Sequence, residues 1–186
     1  MNQDTSTGLM SYRDSHFELN FIGNFFFEIK RPVDCSIIQL HYFYLKLRKG
    51  NKVSPVNLHE KIYSAEYLGF CYHQGNLVGI SAIKKPTTQY IQSVHEKAGI
   101  MYGKNGTFLE IGYSFTEEDF RQKGISTKLK MMLLNKISNY KCTLFSTTAT
   151  ASSQRFLKAQ GFVPHGTAYR GTFDDDIIYF EKHSPM

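Results

Sequence analysis

Residues 107–140 constrain the fold more than any other part of the chain. Residues 107–116 form an apolar, strand-like run, and residues 127–140 carry apolar side chains at helical spacing. The segment between them includes Arg121, Gln122, Lys123, Gly124, Ile125 and Ser126. A turn that opens a helix after a strand presents unpaired backbone N–H groups at the positive end of the helix dipole. Such a turn can hold a pyrophosphate.

The residues of this turn exclude two common nucleotide-binding motifs. A Walker P-loop needs Gly-x-x-x-x-Gly-Lys-Ser/Thr and the Rossmann fingerprint needs Gly-x-Gly-x-x-Gly, and neither occurs in the chain. The turn is instead Arg-x-x-Gly-x-Ser, in which Gly124 allows close backbone approach and Ser126 is small enough to leave room for a ligand. An ordinary strand-to-helix turn is the alternative interpretation.

The remaining segments predict strands and helices in mixed order. Strands are predicted at residues 24–30, 67–73, 77–84, 107–116, 142–149, 162–169 and 177–181. One helix is predicted to end with Gly50 as its cap, and the last helix to begin at a Ser152 or Ser153 cap. Hairpins combined with β-α-β crossovers predict an α+β, three-layer α/β/α fold with a mixed, mostly antiparallel sheet of about seven strands and helices on both faces.

The composition is typical of one globular domain. The chain has 186 residues, of which 41% are hydrophobic, enough for a core without disulfides or metals. We predict a single domain over residues 15–186, preceded by a polar, disordered tail over residues 1–14. Three widely spaced cysteines without a C-x-x-C motif indicate reduced thiols in the cytoplasm.

Composition and spacing also argue against several partners. The histidines are scattered without metal-ligand spacing, so no metal is expected. No apolar run reaches the roughly 20 residues of a membrane span, so no membrane partner is expected. The net charge of +6 suits an anionic ligand, but no basic stripe or motif for nucleic acid is present. The oligomeric state stays open, a homodimer included.

Two motifs resemble those of the GNAT superfamily of acyl-CoA N-acyltransferases. The first is [Arg/Gln]-x-x-Gly-x-[Gly/Ala] between a strand and the next helix, and Arg121, Gly124 and Ser126 fill its positions, with serine at the last one. The second is a helix that ends in a Gly-Phe pair, and residues 153–162 are similar to it. The resemblance covers about residues 25–182. It implies an N-acetyltransferase with acetyl-CoA as co-substrate and no metal.

The resemblance also implies how acetyl-CoA is held. Backbone N–H groups of residues 122–126 would bind its pyrophosphate, and the pantetheine arm would lie between the diverging ends of strands 107–116 and 142–149. Amides near Phe115 and Thr116 would bind the arm and polarise the thioester carbonyl. The residues implied to contact acetyl-CoA are Phe115, Thr116, Arg121, Gln122, Lys123, Gly124, Ile125, Ser126, Thr150 and Ser153.

Glu110 is the candidate catalytic residue. An amine is mostly protonated near neutral pH, so a general base must take its proton before it attacks a thioester. Glu110 lies eleven residues before Arg121, the offset at which histone-acetylating members of the superfamily carry their general-base glutamate. Strand alternation would place Glu110, Gly112, Ser114 and Thr116 on one face, and Ile111, Tyr113 and Phe115 on the other. The alternative is that Glu110 pairs with a nearby Lys or Arg or faces solvent.

One position departs from the family pattern. Leu157 stands where many relatives carry a tyrosine that protonates the leaving thiolate. Either another group serves, with Tyr113, Tyr169 and Ser153 as the candidate substitutes, or the thiolate leaves unassisted, or the activity is weak. Two alternatives to acetyl transfer stay open: an acyltransferase that uses a longer acyl-CoA, and a non-catalytic acyl-CoA-binding or regulatory domain, to which the departure at Leu157 gives weight. The acceptor is expected to be a small-molecule or peptide amine, with Tyr90 and His95 among its candidate contacts.

Overall fold

One mixed eight-stranded sheet with helices on both faces organises the described chain. The structure, a computed structural model, describes residues 20–101, 103 and 106–183, so the predicted tail over residues 1–14 lies outside the described residues. The strands are β1 (Asn20–Ile22), β2 (Phe25–Lys30), β3 (Tyr67–His73), β4 (Asn76–Lys84), β5 (Phe108–Thr116), β6 (Thr143–Thr148), β7 (Val163–Tyr169) and β8 (Ile177–His183). The helices are α1 (Ile37–Gly50), α2 (Leu58–Tyr63), α3 (Thr88–Ala98), α4 (Ile125–Lys136) and α5 (Ala151–Ala159).

The predicted α+β architecture is confirmed. Seven of the strands correspond to the seven predicted segments, and the eighth is the three-residue β1 at the edge of the sheet. The strands run in the order β1-β2-β3-β4-β5-β6-β8-β7. All neighbouring pairs are antiparallel except β5 and β6, which run parallel because α4 crosses over between them.

The parallel pair diverges along its length. Its ladder joins Phe108–Glu110 to Thr143–Phe145, and in the described chain it ends at the pair Glu110 and Phe145. Both strands continue beyond that point, β5 to Thr116 and β6 to Thr148. The facing edges of the two strands therefore open into a cleft with backbone groups along its walls. This cleft starts in the middle of the sheet, between the strand ends that precede α4 and α5.

Helices cover the sheet in two layers. On one face, α1 and α2 bury Phe43 and Leu58 against Phe70 of β3 and Ile80 of β4, while α3 covers Phe145 of β6. The opposite face carries α4 and α5, which bury Leu133 and Leu157 with Ile111 of β5 and Phe180 of β8. Full burial of each such side chain contributes about 1.5–3 kcal/mol, so these layers hold the strands that form the cleft.

The ends of α1 differ in part from the sequence prediction. Ser36 begins the helix with a capping box. Its hydroxyl accepts from the backbone N–H of Gln39, and the side-chain oxygen of Gln39 accepts from the backbone N–H of Ser36. The left-handed residue that ends it is Asn51, with φ 49°, so the expected cap at Gly50 is wrong. Gly50 is the last helical residue, and a Cβ there would lie 3.0 Å from Cδ2 of Phe115. Its missing side chain lets the end of β5 approach α1.

Candidate active site

The turn before α4 has the geometry of an anion-binding nest. Gln122 and Gly124 both adopt left-handed backbone conformations, with φ 61° and 74°. Ile125 is the first helical residue, and no side chain caps the helix. The first intrahelical bond runs from the Lys128 N–H to the Gly124 carbonyl. The N–H groups of residues 122–127 are therefore left for a ligand or water, at the positive end of a 12-residue helix.

Close packing fixes the start of α4 against the sheet. A Cβ on Gly79 of β4 would lie 2.6 Å from Cγ2 of Ile125, so only glycine permits this approach. Ile125 and Leu129 are buried there with Cys71 and Val78. The nest is therefore held by the core of the protein.

Two basic side chains flank the nest. The Arg121 Nε donates to the Thr116 carbonyl at 3.3 Å, and Lys123 Nζ lies 5.0 Å from the centre of the Phe120 ring. Both side chains are exposed. Arg121 thus closes the turn back onto the end of β5, and both residues add positive potential beside the helix terminus.

Glu117 fastens the turn to α1. Its carboxylate accepts from Lys46 Nζ at 2.5 Å and from Lys49 Nζ at 2.6 Å. Burial acts to raise the pKa of Glu117, but the hydrogen bonds from Lys46 and Lys49 outweigh it and hold that pKa below the ordinary value of 4.5. The carboxylate is therefore ionised, and the link intact, throughout the neutral range.

The link between Glu117 and the two lysines makes the free energy of unfolding depend on pH in the acid range. Because the pKa of Glu117 is lower in the folded state, its contribution is present above the unfolded pKa and is lost as pH falls below about 4.5 through the folded pKa. We expect Glu117→Gln to lower the free energy of unfolding at pH 7, with the difference from wild type shrinking towards pH 2. Urea unfolding across that range measures it. Glu118→Gln is the control, because Glu118 is 87% exposed and contacts Arg121 only at 4.0 Å. Equal pH profiles for the wild type and Glu117→Gln would contradict the assignment.

Glu110 lies at the closed end of the cleft and is buried. Only 3% of its surface is exposed, and its Oε2 accepts from Lys84 Nζ at 2.6 Å. The Tyr90 hydroxyl donates to Oε1 over a longer distance of 3.4 Å. The pairing with a lysine that the sequence left open as an alternative is therefore present. Lys84 makes a short contact with Oε2, whereas Oε1 has only the longer contact with Tyr90.

A β-bulge changes which side chains share a face with Glu110. Ile80 pairs with Phe115 and Ala82 pairs with Gly112. Between these two pairs, β5 contains one more residue than β4. The bulge includes Tyr113, whose backbone is left-handed with φ 51°. The expected alternation is therefore wrong beyond Gly112: Tyr113 lies on the Glu110 side of the sheet, opposite Ile111.

Phenols and one ammonium group surround Glu110. Lys84 Nζ lies 4.6 Å from the centre of the Tyr113 ring and 5.7 Å from that of Tyr90. Burial, and next the Glu110 charge, raise the pKa of the Tyr113 and Tyr169 hydroxyls, that of Tyr169 to about 12. The same causes raise the pKa of Tyr90, whose hydroxyl end is enclosed although 39% of the residue is exposed. All three phenols are therefore neutral at physiological pH.

The environment of Glu110 was only partly visible in the sequence. Tyr90 was expected near the acceptor, and it contacts Glu110. His95 instead lies in the core, where its Nε2 is 3.1 Å from the Tyr179 hydroxyl. Lys84 was missed, because its pairing with Glu110 depends on the register of β4 against β5. That register joins strands separated by α3, and no local turn determines it.

The start of α5 borders the open end of the cleft. Thr150 is its N-terminal cap, so the expected caps at Ser152 and Ser153 are wrong. The Thr150 hydroxyl is 3.0 Å from the Thr148 hydroxyl at the end of β6. Ser153 follows in the first helical turn, and its hydroxyl accepts from Lys130 Nζ at 3.4 Å. Leu157, one turn further on, is buried in the core and carries no proton to donate.

A cavity of about 650 Å³ lies at the other end of the sheet. Its wall includes Glu66, Lys85, Thr107 and Tyr140, which surround the first residues of β5. The nest at Gly124 lies beyond the opposite end of that strand, so this cavity is separate from the cleft.

The described part of the chain contains no helix that could span a membrane and no cluster that could bind a metal ion. None of its helices is long and apolar enough to cross a membrane. Within the same residues, no cluster of His, Cys, Asp and Glu could hold a metal ion. Of the acidic residues before β8, Asp174 pairs with Lys52 and Asp175 pairs with Arg170.

The fold matches solved structures of an acyl-CoA N-acyltransferase, an N-acyl amino acid synthase and an N-acetyltransferase. An acyl-CoA N-acyltransferase from Pseudomonas aeruginosa has a TM-score of 0.62 at 16% identity, covering 84% of this chain and 97% of that one. FeeM, an N-acyl amino acid synthase from uncultured soil microbes, has 0.67 at 13% identity, covering 87% and 91%. The ribosomal-protein-S18-alanine N-acetyltransferase from Escherichia coli has 0.59 at 11% identity, covering 86% and 95%. No family model and no curated protein sequence matches the chain.

The resemblance stated from the two motifs is thereby confirmed in the fold. The chain has the fold of the GNAT acyl-CoA N-acyltransferases. At identities of 11–16% the likeness concerns the architecture, and the activity has to be argued from the residues of this chain.

Proposed function

We propose that this protein is an N-acetyltransferase that transfers the acetyl group of acetyl-CoA directly to the amine of a small molecule or peptide. One observation carries the proposal. The ladder between β5 and β6 ends at Glu110, and the cleft that opens there leads to the nest at Gly124. The pantetheine arm of acetyl-CoA would thus lie between the strands. Its pyrophosphate end would lie on the nest, and its thioester would lie beside the buried carboxylate of Glu110.

The nest and the cleft edge account for binding. N–H groups of residues 122–126 would receive the pyrophosphate, with Arg121 and Lys123 adding charge. Amides near Phe115 and Thr116 would bind the pantetheine arm and polarise the thioester carbonyl. Thr150 and Ser153 border the same opening from the β6 side and would contact the arm there.

Glu110 would act as the general base. Its Oε2 is held by Lys84, whereas Oε1 has only the 3.4 Å contact with Tyr90. An ionised carboxylate has about four lone-pair sites, so Oε1 can accept a proton while Lys84 keeps the group in place. The amine would approach from the side of Tyr90 and Tyr113, attack the thioester carbon and lose its proton to Oε1.

Binding and turnover are tested separately. Titration calorimetry with acetyl-CoA is expected to show one site at micromolar concentrations, and no binding at high micromolar ligand would reject the cofactor assignment. Release of the CoA thiol is then measured with a panel of primary amines, amino acids and peptide N-termini. Binding without release for any amine would favour the non-catalytic acyl-CoA-binding domain.

A longer acyl donor is the second candidate. The name of one matched structure leaves room for it, because FeeM is named for an N-acyl and not for an N-acetyl product. FeeM is an N-acyl amino acid synthase, so an amino acid acceptor belongs in the panel. Thiol release from acetyl-, octanoyl- and palmitoyl-CoA with the same acceptor distinguishes the two donors.

A further inference from the structure

A buried lysine lies beside the α5 residues that border the cleft. Lys130 of α4 is only 8% exposed, although a lysine is rarely buried without a carboxylate partner. No Asp or Glu of the described residues forms an ion pair with it. Its Nζ instead donates to the Ser153 hydroxyl at 3.4 Å and lies 5.1 Å from the centre of the Phe156 ring.

The surroundings of Lys130 weaken its hold on a proton. Burial alone lowers the pKa of its ammonium from 10.5 to about 8, and no charged group contributes to the shift. From α5, which packs against it, Lys130 faces the Ser153 hydroxyl and the Phe156 ring. The amine is therefore mostly protonated at pH 7 and can give up that proton at little cost.

The position of Ser153 connects Lys130 to the missing proton donor. Ser153 and Leu157 are separated by one helical turn and lie on the same face of α5. Leu157 stands at the position where members of the GNAT superfamily often carry the tyrosine that protonates the leaving thiolate. Ser153 is one turn nearer to the end of β6 and to the opening of the cleft. A hydroxyl and an ammonium group thus stand on the helix face from which a proton would be required.

We infer that Lys130, acting through Ser153, supplies the proton that the leaving CoA thiolate takes up. This inference rests on the proposed acetyl transfer. The amine forms a bond to the thioester carbon and gives its proton to Glu110, and the C–S bond breaks with its electron pair on sulfur. The thiolate takes the Ser153 hydroxyl proton, and Ser153 takes one from Lys130 Nζ. Proton exchange with water then restores Glu110 and Lys130.

Lys130→Met is the main test. Methionine keeps the length and apolar contacts of the side chain and removes a desolvated charge, so folding is expected to persist. With the best amine of the panel, kcat of the wild type is expected to fall as pH rises through about 8, the pKa to which burial lowers Lys130. In Lys130→Met, kcat is expected to be about 100-fold lower. This basic limb of the pH profile, the fall of kcat above pH 8, is expected to be absent, and acetyl-CoA affinity is expected to be unchanged. The control is Lys136→Met, at an exposed position of the same helix.

Variants at Ser153 test the relay. Ser153→Ala is expected to lose kcat and the basic limb as Lys130→Met does, and Ser153→Thr, which keeps a hydroxyl, is expected to recover most of the activity. Loss of acetyl-CoA affinity with unchanged kcat in Ser153→Ala would show a binding role only and would overturn the relay. A basic limb that survives in Lys130→Met would overturn the role of Lys130.

A second measurement needs no acceptor. The thiol of free CoA bound to the protein is titrated by the ultraviolet absorbance of its thiolate. An ammonium that reaches the sulfur through the Ser153 hydroxyl favours the thiolate, so the thiol pKa is expected to be lower on the wild type than on Lys130→Met. Equal thiol pKa values would refute the inference even where thiol release confirms acetyl transfer. If CoA does not bind at all, the proposed function itself fails.

Discussion

Glu110→Gln is expected to lower turnover at pH 7 by about 10²- to 10⁴-fold, the usual contribution of a positioned general base, while acetyl-CoA affinity stays nearly unchanged. Glutamine keeps the size of the side chain but cannot accept a proton from the incoming amine. The acetyl-CoA contacts assigned to the nest and to the cleft edge do not involve Glu110. Thiol-release kinetics and titration calorimetry on the same preparations measure the two quantities.

The ion pair with Lys84 complicates this test and also supplies its control. Removing one member of a buried pair typically costs about 3–5 kcal/mol, and the Lys84 side chain is only 16% exposed. Glu110→Gln alone would therefore lower both stability and activity. The double variant Glu110→Gln and Lys84→Met removes both charges and is expected to recover much of the free energy of unfolding.

The double variant separates catalysis from structure. If Glu110 is the base, the double variant stays as inactive as Glu110→Gln despite its recovered stability. Recovery of turnover with stability would mean that the carboxylate serves only to neutralise Lys84. A parallel loss of acetyl-CoA affinity and turnover in Glu110→Gln would also show a structural role.

Local signals predicted the elements of the fold well. The strand-like apolar runs of β3 and β4 and the glycine turn between them specify a hairpin over residues 67–84, and the structure forms it. The apolar stripe of α4 follows from its 3.6-residue period, and Ile125, Leu129 and Leu133 are buried as that period requires. These features depend on neighbours along the chain, which the sequence displays directly.

Long-range register was beyond the sequence. The contact between Lys84 and Glu110 requires β4 and β5 to pair in one register across the intervening α3. The bulge at Tyr113 requires a left-handed tyrosine, a conformation that few tyrosines adopt and that no residue pattern announces. The turn at Gly124 could be recognised from its residues, whereas the contacts of Glu110 required the whole sheet.

Gly124→Ala is expected to weaken acetyl-CoA binding by about tenfold or more, equivalent to about 1.4 kcal/mol. Gly124 has φ 74°, and an alanine in this left-handed region costs roughly 1–2 kcal/mol. A Cβ there would meet no protein atom within 4 Å. The added methyl group would stand in the open space where the pyrophosphate is proposed to approach the backbone.

Gly75→Ala is a closely matched control for this variant. Gly75 lies in the turn between β3 and β4 with φ 78°, and a Cβ there also meets no atom within 4 Å. Both variants should therefore lose a similar free energy of unfolding, measured by urea denaturation. Only Gly124→Ala should change the dissociation constant of acetyl-CoA, because the effect on binding comes from the position of the methyl group and not from backbone strain. Equal affinities for the two variants would place the pyrophosphate elsewhere, whereas a selective loss would locate it at the turn before α4.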